Sequence, residues 1–285
     1  MDFGNKKFKD SLIRKIFSTP DKAMELYNAV TGKNLSSDTL VEMKNVEPVL
    51  LSSIRNDLSF IIDGRLAVFL EHQSTINRNM PLRMLQYLLV FYEANCEIGR
   101  ALYKEKRISL PKPEFYVLYN GNKNQPEKQM RLSEAFAGLE EGEAPQLELV
   151  VNIININYGE NPDVMEKSES LNGYAFLVAK QREYKNAGNN TDMATRLACE
   201  YCIKEGILSE FLLNLKFEEL IFMLNLEYDE ALAKEVAREE GFEDGVENLI
   251  ERMIRKGKSV ESIVYDTDVP LSKVIIIKER IAAEA

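Results

Sequence analysis

A chain of 285 residues, 45% hydrophobic and 29% charged, can bury a sizeable core in one or two domains. Its single histidine excludes a histidine-based hydrolase or a histidine-rich metal site, and no apolar run approaches the roughly 20 residues of a membrane span. The net charge of −10 argues against strong nonspecific nucleic-acid binding, yet it is unevenly spread. Residues 1–110 hold 16 Lys+Arg against 13 Asp+Glu, residues 111–220 hold 11 against 18, and residues 221–285 hold 9 against 15. The first 20 residues are charged throughout and do not read as a signal peptide. Three cysteines without a secretory context imply a reducing compartment, so the expectation is a cytoplasmic protein with no membrane partner.

Residues 6–31 read as an amphipathic helix or a broken pair. Phe8, Leu12, Ile13, Ile16 and Phe17 give helical spacing. Thr19-Pro20-Asp21 marks a restart and Gly32 a stop. Lys6, Lys7 and Lys9 are a solvated face or a phosphate contact. Residues 33–55 are a connection with one strand around 46–52, which Pro48 confines to an edge or a bulge.

Residues 56–74 read as a β-hairpin, with two apolar runs flanking Asp63-Gly64. Side chains two apart on a strand share a face, so Glu71 and Gln73 lie together and His72 points away. A strict two-residue turn pairs Ile62 with Arg65 and sends Asp57 to the face opposite Glu71. A three-residue loop, with Gly64 left-handed and one bulge, changes the parity and puts Asp57 beside Glu71. The second register is expected. Two carboxylates and an amide at one strand end suit Mg²⁺, which takes one or two carboxylates, keeps several waters and binds a substrate phosphate. The bland alternative is a strand cap, Asp57, with solvated strand-end residues at 71 and 73. A packing role is expected for the His72 ring.

Residues 80–103 are the clearest helix, with Leu82, Leu85, Leu88, Leu89, Tyr92 and Cys96 expected as its buried stripe. Arg83 and Tyr87, four apart, share a face that starts close to Gln73. Either Arg83 meets a phosphate with Tyr87 orienting it or a carboxylate, or Arg83 pairs with a structural carboxylate and Tyr87 is half-buried. Residues 113–121 and 147–156 read as core strands, separated by a polar loop with a short helix near 132–139. The order helix, three strands, helix, strands suits an α/β protein with a restriction-endonuclease-like three-layer core and a mixed central sheet.

After about residue 160 the pattern is helical, over 171–185, 192–205, 208–215 and 217–224. Cys199 and Cys202 sit in helical surroundings without a second pair, which favours packing over metal or redox use. Residues 227–256 read as one long charged helix, either a self-association element or a solvated connector. Residues 259–281 read as a helix-turn-helix-like unit without a basic recognition face. The expected division is therefore a core over 1–160, a helical extension over 161–226 and a tail over 227–285.

Asp57, then Glu71-His72-Gln73-Ser74, then Met80-Pro81-Leu82-Arg83-Met84-Leu85-Gln86-Tyr87, resembles the recombination-promoting nuclease (Rpn)/transposase family of the PD-(D/E)XK nuclease superfamily. The likeness runs over about 40 residues in unbroken order. It extends more loosely to a Lys/Phe-rich opening helix, a Tyr-Asn-Gly strand end and a glycine-punctuated charged tail. It implies Asp57 and Glu71 as metal ligands with the backbone carbonyl of His72 as a third, Mg²⁺ (or Mn²⁺/Ca²⁺) as cofactor, and DNA as substrate. The setting implied is recombination, mobile elements or phage defence. Gln73 stands where the wider superfamily has Lys. It can orient water or phosphate but supplies no charge, so the alternative is a catalytically weak or inactive nuclease-fold module for DNA binding or assembly. A homo-oligomer formed through the C-terminal helical region fits either reading.

Overall fold

The computed structural model describes residues 11–44, 57–96, 98–121, 127–140, 142–228, 245–267 and 269–283. Lys6, Lys7, Lys9 and the strand expected at 46–52 lie outside them. Two helices open the described chain, α1 (Leu12–Ile16) and α2 (Pro20–Thr31). The break between them is local chemistry. Thr19 caps α2 by accepting the Lys22 N–H, Pro20 starts the helix, and Gly32 ends it at φ 71°.

Six strands follow: β1 (Val41–Met43), β2 (Leu58–Ile62), β3 (Leu66–Gln73), β4 (Lys112–Tyr119), β5 (Gln129–Arg131) and β6 (Val150–Asn155). They form one mixed sheet in the order β1-β2-β3-β4-β6-β5. β1, β2 and β3 are antiparallel, β3, β4 and β6 run parallel, and β5 turns back along β6. The β3–β4 crossover is α3 (Met80–Asn95), followed by the short α4 (Ile98–Ala101). Strands β1 and β5 were not expected from the sequence, and the short helix of the 132–139 region is a single 3₁₀ turn, Leu132–Ala135.

Strand alternation sorts the core into two layers. Leu58, Phe60, Ile62, Val68, Leu70, Tyr116 and Leu118 pack with α1, α2 and α6 (Glu169–Asn186). Ile61, Ala67, Phe69, Phe115, Val117 and Tyr119 pack under α3. Both faces of β2 and β3 are therefore covered, which accounts for their continuous apolar runs. α5 (Pro162–Met165), α7 (Thr191–Lys204), α8 (Ser209–Leu213) and α9 (Phe217–Tyr228) complete this unit. Ala198, Cys199, Cys202 and Leu212 belong to the same cluster as the sheet residues, so the two cysteines are packing groups.

The expected stripe of α3 holds in part. Tyr92 is buried and Leu85, Leu88 and Cys96 are partly buried, but Leu82 and Leu89 are 49% and 57% exposed, and Met80, Met84, Tyr87 and Phe91 are buried in their place. The helix is polar only at Arg83, Gln86, Glu93 and Asn95, so apolar residues surround most of it and spacing alone did not choose its face. The aromatic and methionine side chains fill the space over Phe69, and Phe91 meets Phe69 edge to face at 5.0 Å.

Described residues of the tail form a second unit of α10 (245–255), α11 (Val260–Thr267) and α12 (Leu271–Ala283) around Ile250, Ile263, Val274 and Ile277. The stretch 229–244 of the expected long helix lies outside the described residues. Among the described residues no helix is long and apolar enough to cross a membrane.

Candidate active site

The hairpin takes the odd register. Ile62 pairs with Leu66 and Leu58 with Leu70, so the next position sets Asp57 against Glu71. The loop is Asp63-Gly64-Arg65. Asp63 and Gly64 are both left-handed, at φ 49° and 64°, and Arg65 N–H donates to the Ile62 carbonyl. Arg65 is then the extra residue that shifts the parity. Asp63, a non-glycine residue in this conformation, is held by accepting the Leu40 N–H at 3.0 Å.

Asp57 stands one residue before β2, and its Oδ2 accepts the backbone N–H of His72 at 2.7 Å. The side chain thereby continues the ladder where strand pairing stops. Gln73 gives its carbonyl to Asn120 N–H on the β4 side. By alternation the peptide groups of His72 face the other way, toward Asp57.

Glu71 is 5% exposed and faces α3 beneath Tyr87, and among the described residues no hydrogen-bond donor meets its Oε1. Arg83 supplies a cation nearby, with its Nη2 3.7 Å from that oxygen. The same Nη2 donates to Tyr87 Oη at 2.7 Å. Arg83 is half-exposed, so its guanidinium spans the buried carboxylate and the surface. Tyr87 is fully buried at 1%, deeper than the half-buried position that one of the two sequence alternatives gave it. Burial and the Asp57 charge push the Glu71 carboxyl up to about 8, against the pull of Arg83 and Tyr87. Burial and the Glu71 charge likewise raise Tyr87.

Gln73 lies on the Glu71 face. Its Nε2 contacts Met80 Sδ at 2.8 Å, and its buried Oε1 has no hydrogen-bond partner among the described residues. Arg83 Nη1 also reaches Met80 Sδ, at 3.6 Å. Met80 therefore sits between two residues that the sequence singles out, and nothing in its own spacing marks it.

The His72 ring faces the opposite layer, as strand parity predicts, with Nε2 3.0 Å from Tyr174 Oη. Burial holds the ring at about 4, well below the ordinary histidine value, so it is neutral. Asn120, Tyr174 and Arg182 surround this face. In the sequence Asn120 stands out only as part of a strand end. Tyr174 and Arg182 lie on a helix about 100 residues beyond β3 and carried no local signal.

The structure thus brings Asp57, Glu71, Gln73, Arg83 and Tyr87 to one strand end, with only the peptide group of His72 joining them. The donors fit a hard divalent cation: two opposed carboxylates, one with an unbonded buried oxygen, and a backbone carbonyl on the same side. Two crowded carboxylates are costly without a counter-charge, and a cation between them reverses that cost. Among the described residues no group of three or more His, Cys, Asp or Glu side chains forms a metal cluster. A cation here would complete its shell with the backbone, water and substrate. Comparison with family models, with curated proteins and with solved structures finds no match for this chain.

Proposed function

We propose that the protein is a divalent-metal-dependent DNA endonuclease of the PD-(D/E)XK type. The observation that carries this reading is the Asp57–Glu71 pair. It is opposed across the hairpin, with Glu71 Oε1 buried, unbonded among the described residues and overlooked by Arg83. The order of elements supports it. A helix, three antiparallel strands, a crossover helix and a parallel strand is the arrangement of a restriction-endonuclease-like core.

In this reading Asp57, Glu71 and the His72 carbonyl hold Mg²⁺ or Mn²⁺. When bound, the ion supplies an activated water and offsets charge developing on the phosphorus. Tyr87 fixes the Arg83 guanidinium, whose exposed side meets a phosphate oxygen of the DNA. Gln73 offers an acceptor oxygen that can orient a water. It brings no cation, and its amide nitrogen is turned to Met80. That observation favours a second reading, a nuclease fold retained for DNA binding or assembly with little or no cleavage.

Plasmid DNA incubated with wild type and Asp57→Ala, in Mg²⁺, Mn²⁺ or EDTA, separates the two. The endonuclease reading expects nicking or linearisation by wild type alone, abolished by EDTA. Cleavage that survives in Asp57→Ala overturns the site. No cleavage by wild type, with or without residues 227–285, leaves the binding module.

A further inference from the structure

The layer behind Glu71 and Gln73 carries a polar network at a place where apolar packing would suffice. Asn120 and Tyr174 are fully buried and Asn155 is 8% exposed. Asn120 Nδ2 donates to Tyr174 Oη at 2.9 Å, so the phenol accepts there and has its own proton to give to His72 Nε2, 3.0 Å away. The Asn120 N–H donates to the Gln73 carbonyl at 3.1 Å, and the Asn120 carbonyl accepts from Arg182 Nη2. Arg182 Nη1 donates to Asn157 Oδ1 at 2.8 Å. Asn157 Nδ2 lies 2.9 Å from the Gly121 carbonyl and 2.8 Å from Asn155 Oδ1. One phenol and one guanidinium on α6 therefore tie together the ends of β3, β4 and β6.

We infer that Tyr174 and Arg182 are positioning residues of the candidate site, acting through His72 and Asn120 on the strand end that carries Glu71 and Gln73. Three observations carry this. His72 lies between the two site residues in sequence, and its ring is gripped from behind while its N–H is gripped by Asp57. The peptide that follows the site, Gln73 to Ser74, is fixed by Asn120, whose own carbonyl is fixed by Arg182. The close approach of these chain ends is built in, because a Cβ at Gly121 would overlap the Ser74 carbonyl oxygen. Buried polar groups linked in this way cost desolvation and return a single geometry, and here that geometry is set at the back of the site. The chemical consequence rests on the metal-site reading above, whereas the geometry rests on the hydrogen bonds alone.

The test uses the full chain as wild type, Tyr174→Phe and Arg182→Lys. Amide hydrogen exchange is followed by NMR in EDTA, and each protein is then titrated with Mn²⁺. Both substitutions keep the bulk of the side chain, and either one alone carries the test if the other fails to fold. The expected result is at least tenfold faster exchange of the His72 and Asn120 amides, with the Phe60 and Val68 amides within about twofold of wild type. Mn²⁺ affinity is expected to fall about tenfold in the same variants. Unchanged exchange at His72 and Asn120, or equal acceleration at all four amides, overturns the inference. So does local acceleration with Mn²⁺ affinity unchanged. Local acceleration in a chain whose wild type binds no Mn²⁺ supports the bracing of the strand end and sinks the metal-site reading instead.

Discussion

Asp57 Oδ2 accepts the backbone N–H of His72 at 2.7 Å, across the open end of the β2–β3 hairpin. That bond fixes the carboxylate beside Glu71 at the point where ladder pairing stops. It depends on one extra residue in the hairpin loop, Arg65. Without the extra residue, Asp57 would sit on the His72 side of the sheet and no pair would exist.

The burial of Glu71, with Asp57 beside it, has a pH signature. A carboxyl raised in the folded chain keeps its proton to higher pH than the unfolded chain does. Its contribution is complete below the unfolded value of about 4.5 and is lost as pH rises toward about 8. His72 acts in the opposite sense. Its folded value near 4 lies below the ordinary histidine value of about 6.5, so stability is lost as pH falls through that range. The two trends oppose each other between about 4.5 and 6.5, which leaves 6.5–8 to Glu71. Urea unfolding in EDTA is expected to show stability falling across 6.5–8 by up to about 1.4 kcal/mol per pH unit. Glu71→Gln is expected to flatten that slope. A slope that persists in Glu71→Gln assigns it to another group.

Gly121 is expected to tolerate no side chain. Its Cβ position overlaps the Ser74 carbonyl oxygen and crowds the Tyr119 ring, and backbone cannot yield as a flexible side chain would. Gly121→Ala is expected to cost about 3 kcal/mol, the upper end for overpacking, in thermal or urea unfolding. Gly64→Ala is the comparison. No neighbour lies within 4 Å of its Cβ position, so its cost is confined to the φ of 64° and amounts to about 1 kcal/mol.

On α3, Phe91→Ala is expected to cost about 3–5 kcal/mol, because a fully buried ring against Phe69 is lost. Leu89→Ser, at a position 57% exposed, is expected to stay within about 0.5 kcal/mol of wild type. Equal costs would return α3 to the leucine stripe that its sequence suggests.

This helix shows where sequence reading runs out. Thr19-Pro20 and Gly32 carried their own cap chemistry, and Asp63-Gly64 carried the turn, so α2 and the hairpin register were legible. In α3, apolar residues lie on every side of the helix, and only the sheet beneath decides which of them are buried. β1 and β5, three residues each, are too short to show a period. They exist because β2 and β6 offer them an edge. The carboxylate pair was legible because both members lie within 15 residues. Arg83 and Tyr87 were legible because helical spacing places them together. Met80 was not, since nothing in sequence distinguishes a thioether in a core from one between Gln73 and Arg83. The bracing from α6 was invisible for the same reason. Tyr174 and Arg182 acquire meaning only when β3, β4 and β6 end at one place.

The measurement closest to the central claim is Mn²⁺ binding by isothermal titration calorimetry, near pH 8, to wild type, Asp57→Asn and Glu71→Gln. The account predicts saturable binding by wild type with proton release, since Glu71 must give up its proton to bind. It predicts a loss of at least tenfold in affinity in each variant. Equal binding by all three proteins would contradict it, because the ion would then be held somewhere other than the strand end where Asp57 faces Glu71.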